Sequence, residues 1–143
     1  MNRLIRIALL LGMAAAVGCG RASPQFESRP TFPVEGRVLI EGKPVEGVQV
    51  FFHPLDSSQR GAPRGVTDAE GRFHLRTYHD GDGAPAGEYT VTVYWPGPAD
   101  PSAAAEDQLP PDRLEGRFMN PKNSSLRATV AAGPTALPPL DIK

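Results

Sequence analysis

The chain has 143 residues, of which 15 are glycine and 16 proline, so about a fifth of it favours turns. Apolar residues make up 40% and charged residues 22%, enough for the modest core of one domain. A net charge of −1 with scattered Lys and Arg excludes a nucleic-acid binder that works by phosphate neutralisation, and a single cysteine excludes both an internal disulfide and a multi-thiolate zinc site.

Residues 1–18 open with Arg3 and Arg6 and continue as an apolar run from Ile7 to Val17. Such a run is too short to span a bilayer but suits the core of a signal peptide. It ends in Ala16-Val17-Gly18-Cys19, which resembles the lipobox of bacterial lipoproteins, although Ala16 stands where leucine is commoner. The resemblance implies cleavage between Gly18 and Cys19, palmitate-type acyl chains on Cys19, and a mature protein tethered to a membrane of the cell envelope. Several chains hold a protein firmly where one does not. Without the leader, 13 basic and 16 acidic side chains remain, a formal charge of −3, so attachment falls to the lipid rather than to electrostatics. Residues 19–32 then read as the lipidated cysteine and a flexible, polar tether with a reach of about 20 Å.

From Pro33 the apolar period becomes two. Val34, Val38 and Ile40 share one parity, Glu41-Gly42-Lys43-Pro44 forms a turn, and Val48, Val50 and Phe52 share a parity in a second strand. These two strands are expected to pair as a hairpin. After the polar stretch Pro54–Arg64, Asp68-Ala69-Glu70-Gly71 has the Asp and Gly of a type I turn leading into Arg72–Thr77, with Phe73 and Leu75 inward. Tyr89, Val91, Val93 and Trp95 define a further strand, and Leu126–Val130 and Leu137–Ile142 are shorter ones. The expected class is all-β, a single antiparallel sandwich over residues 33–143 with a Pro/Ala-rich loop at 96–117 that is either mobile or docks on a partner.

Four segments carry a family resemblance: Val34–Val38, Gly42–Phe52, Thr67–Leu75 and Ala86–Val93. Together they resemble the carboxypeptidase regulatory-like domain, including its small lipoprotein forms in planctomycete-type bacteria. The resemblance implies a seven-stranded Greek-key sandwich of the transthyretin-like (prealbumin-like) kind and a non-catalytic accessory role. Asp68, Gly71 and Tyr89 take structural positions in it, Tyr89 as a tyrosine corner.

No catalytic constellation emerges. His53, His74 and His79 lack the His-x-x-Glu spacing of zinc peptidases, and no serine sits in a Gly-x-Ser-x-Gly elbow. A hydrolase of the hydroxyisourate hydrolase type would end in Tyr-Arg-Gly-Ser, whereas this chain ends Leu140-Asp141-Ile142-Lys143. The reading is therefore of a non-enzyme without a cofactor, presenting a binding or scaffolding module to an unidentified protein or carbohydrate partner. The alternative is a calcium- or carbohydrate-binding envelope protein. Asp80 and Asp82, separated by glycine, are the calcium candidates, with an Asp-Gly turn as the plainer account. Phe51 and Tyr94, of outward parity, are the candidate ligand surface. Arg72, His74 and Arg76 form a basic stripe, with Glu35 as a cross-strand partner.

Overall fold

The structure is a computed structural model that describes residues 28–98 and 109–143; residues 1–27, with Cys19 and most of the expected tether, and residues 99–108 of the Pro/Ala-rich loop lie outside the described residues. The described chain is all-β, without a helix. Its strands are β1 (Thr31–Phe32), β2 (Val34–Ile40), β3 (Lys43–Pro44), β4 (Gln49–Pro54), β5 (Arg64–Val66), β6 (Arg72–His74), β7 (Ala84–Pro85), β8 (Gly87–Tyr94), β9 (Arg127–Val130), β10 (Thr135–Ala136) and β11 (Leu140–Ile142).

One sheet runs β5-β4-β8-β9 and is antiparallel throughout. The other centres on β2. One edge of β2 pairs antiparallel with β3 and β6, and the other takes β10 and β11 in parallel. The wholly antiparallel expectation is thus corrected: the chain's last segment returns beside β2 in the same direction. Pro138 and Pro139, between β10 and β11, have no N–H to give the ladder and split this edge in two. A short ribbon, β1-β7, lies apart from both sheets.

The expected hairpin is also corrected. Val34–Ile40 and Gln49–Pro54 belong to different sheets. The turn at Glu41-Gly42, with φ of 51° and 76°, closes only the short β2–β3 pair. Pro44 cannot extend that ladder as a donor, and the chain crosses over instead. Thr67 catches the crossing: its hydroxyl accepts from Val48 N–H (2.9 Å) and donates to Val45 C=O (2.7 Å).

The inward faces of the two sheets form one apolar cluster. Val34, Val38 and Phe73 come from one sheet, and Val50, Phe52, Tyr89, Val91 and Val93 from the other. The Phe52 ring is the meeting point, 6.2 Å from the centroid of Phe73 and 5.8 Å from that of Tyr89. Tilted and edge-on aromatic pairs of this kind add to the area they bury. Gly36 leaves the space for Phe73, whose ring a Cβ on Gly36 would strike. On one side the sheets join, because Arg64 and Arg76 exchange both backbone hydrogen bonds at 2.9 Å.

Strand directions define two ends. Arg29, the loop 55–63, the turn 77–83 and Pro85 gather at the end where β2 begins and β4 finishes. The turns at 41–42 and 68–71, Trp95 and Asp112 lie at the other.

Candidate functional site

Asp80 and Asp82 have different partners. Asp82 accepts backbone N–H groups from Thr77 (2.7 Å), Tyr78 (2.9 Å) and His79 (3.1 Å), using both oxygens. Burial pushes its carboxyl pKa up, but the three amides together outweigh burial and hold it below the usual carboxylate value. Asp80 instead meets Arg76 Nη1 at 2.6 Å in an exposed pair. The Asp-Gly repeat here is a turn that caps its own amides.

Phe51 and Tyr94 do not form a common exposed patch. Tyr94 faces away from the core, in keeping with its parity, yet it is only 6% exposed. The chain returns over this face at Pro110, whose carbonyl accepts the Tyr94 hydroxyl at 2.6 Å. The reading of Tyr94 as part of an exposed ligand surface is therefore corrected, since alternation tells which face a residue occupies and not whether that face is covered. Phe51, half-buried, does line a groove of about 400 Å³ with Gln49, Arg64, Val66, His74 and Arg76. Beside it, His53 shares a 2.8 Å hydrogen bond with Thr92 Oγ1, and burial lowers the histidine pKa.

Arg72, His74 and Arg76 are all exposed on the outer face, as a period-two strand requires. Glu35 stands opposite His74 in the register. The ion partners of Arg72 are Asp68 and Glu70, both at 3.8 Å. The stripe is thus largely neutralised by acidic neighbours.

The structural positions are well furnished. Asp68 Oδ1 accepts from Glu70 N–H (3.0 Å) and Arg72 N–H (2.8 Å), and Gly71 N–H donates to Asp68 C=O (2.9 Å). The Tyr89 hydroxyl donates to Pro85 C=O (2.7 Å) and accepts from Gln59 Nε2 (2.5 Å), and burial raises its pKa.

Two organising residues carried too little signal to be found in the sequence. Asp112 accepts N–H groups from Trp95 (3.0 Å), Leu114 (3.1 Å) and Gly116 (2.9 Å), binding the segment after the Pro/Ala-rich stretch to the end of β8. An aspartate directly after Pro110-Pro111 was the available hint. Arg29 reaches Asp56 Oδ2 (3.1 Å) and Ser58 Oγ (2.7 Å), while its backbone N–H donates to the Tyr78 hydroxyl (3.3 Å). Nothing local marks it, because its partners are 27 to 49 residues away. Hydrogen bonds from Ser58 and Arg29 lower the Asp56 pKa.

No protein-family model and no curated protein matches the chain. Among solved structures it is similar to a 9R-lipoxygenase from Cyanothece PCC8801, at 15% identity and a TM-score of 0.42. That likeness covers 79% of this chain but only 16% of the lipoxygenase.

Proposed function

We propose that this protein is a non-catalytic lipoprotein of the bacterial cell envelope. In this reading it presents a sandwich of the carboxypeptidase regulatory-like, transthyretin-like class at a membrane surface. The observation that carries the proposal is the order of parts: a basic and apolar leader, then Gly18-Cys19, then a polar stretch, then the first strand at Thr31. Among the described residues the core cluster begins at Val34, fifteen positions after Cys19 in the sequence. Two sheets sharing one core, the Asp68–Gly71 turn and the Tyr89–Pro85 bond support the sandwich class. The groove at Phe51 is the surface such a module would offer a partner.

Separation of membrane and soluble fractions tests the anchor. The intact chain sediments with membranes in a bacterium that processes lipoproteins, and Cys19→Ser moves to the soluble fraction. Unchanged sedimentation of Cys19→Ser would sink the proposal.

Phe51 also favours a second reading, a carbohydrate-binding envelope protein, because an aromatic side chain flanked by Gln49 and Arg64 suits a sugar ring. A rise in melting temperature with one member of an oligosaccharide panel supports that reading, and a flat panel leaves protein partners. Calcium is expected to leave the melting temperature unchanged, because both oxygens of Asp82 already hold amides.

A further inference from the structure

The end of the fold that receives Arg29 also carries exposed apolar bulk. Leu55 is 56% exposed and Tyr78 39% exposed. Arg29 links them, since its guanidinium binds Asp56, the neighbour of Leu55, and its N–H donates to the Tyr78 hydroxyl. The patch therefore combines an aliphatic chain, an aromatic ring with a polar tip, and an arginine. That is the composition of a surface at the headgroup level of a bilayer, where each such side chain satisfies its apolar and polar parts together.

The length of chain back to Cys19 selects the occupant. Nine residues lie between Cys19 and Arg29, and the ten Cα-to-Cα steps span at most about 35 Å in any conformation. The 115 residues from Arg29 to Lys143 correspond to a radius of gyration of about 13 Å, or a sphere whose half-circumference is about 50 Å. An anchor at Cys19 thus cannot carry the opposite end onto its own membrane. Leu109, 75% exposed near Trp95 and Asp112 at that opposite end, is held away from it.

We propose that the surface formed by Arg29, Leu55 and Tyr78 rests on the bilayer interface. The far end, where Gly97 N–H donates to Pro111 C=O, then faces away from the membrane. This inference rests on the lipid-anchor reading.

The test places a tryptophan at each end. The lipidated chain, purified from membranes, is reconstituted into phosphatidylcholine vesicles as Leu55→Trp and, separately, as Leu109→Trp. Both positions are exposed, so neither exchange disturbs the core, and Trp95 contributes the same background to both. Brominated acyl chains are expected to quench Leu55→Trp about twofold and to leave Leu109→Trp unchanged. An unquenched Leu55→Trp, or equal quenching at both ends, overturns the proposal. The two readings fail separately: an unmodified Cys19 in the mass spectrum refutes the anchor. The same vesicle measurement, with the Cys19 thiol coupled to a maleimide lipid, still reads the surface by the same two outcomes.

Discussion

The two ends of the domain use the same device on different chain. Asp82 at one end and Asp112 at the other each gather three backbone N–H groups onto a single carboxylate. Asp82 closes a six-residue turn within one local stretch. Asp112 instead ties a returning segment to a strand that ended well before it, with Trp95 under the guanidinium of Arg113 at 4.9 Å. One cap shapes a turn and the other fixes where a long excursion comes back. The first end also receives the chain from its N-terminal side, through Arg29 and the β1-β7 ribbon.

Two glycines give the strongest way to break this comparison. Gly83 and Gly42 have nearly equal positive φ, 83° and 76°. A Cβ at Gly83 would collide with the Phe32 carbonyl, whereas at Gly42 it would meet open space. Gly83→Val is expected to cost about 3 kcal/mol or more, and Gly42→Ala about 1 kcal/mol. Urea denaturation measures both, and equal costs would mean that the β1-β7 ribbon contributes no packing at its end.

The caps come next. Asp82→Ala and Asp112→Ala should each cost about 2 kcal/mol by leaving amides without their acceptor. Asp82→Ala should also alter the acid limb. A carboxylate whose folded pKa is depressed contributes stability above its unfolded value of about 3.9, and that contribution is lost as the pH falls through the folded value. The wild-type melting temperature therefore drops more steeply below pH 4 than that of Asp82→Asn. Parallel curves would assign the acid limb to other groups.

Tyr89→Phe leaves Pro85 C=O and Gln59 Nε2 without a buried partner and should cost about 1–2 kcal/mol. Arg29→Ala should change stability by less than about 0.5 kcal/mol, because its ion pair with Asp56 is exposed. Its effect belongs to the exit of the chain rather than to the fold, and a larger loss in urea would make Arg29 a structural residue.

The alternation from Val34 to Ile40 and from Tyr89 to Val93 made the strands and their inward faces readable, and Asp68-Ala69-Glu70-Gly71 announced its turn. Which strand pairs with which was not readable. Periodicity of two reports the face of a residue and not its neighbour, so the crossover held by Thr67 and the parallel return of Leu140–Ile142 beside β2 were invisible. Tyr94 shows the same limit in a candidate site: its face was right, but its cover comes from Pro110, sixteen residues on. Phe51 is half-buried and lines an open groove. Asp82 belonged to an Asp-Gly pattern that fits either a cation loop or a self-capped turn, and only the positions of three amides separate the two.

The most direct measurement is the mass of the mature N-terminal peptide, isolated from a bacterium that processes lipoproteins and expresses the whole chain. A peptide that begins at Cys19 and carries the added mass of acyl chains is the predicted result. A chain that retains residues 1–18, or that begins at Cys19 with a free thiol and amine, would contradict the account.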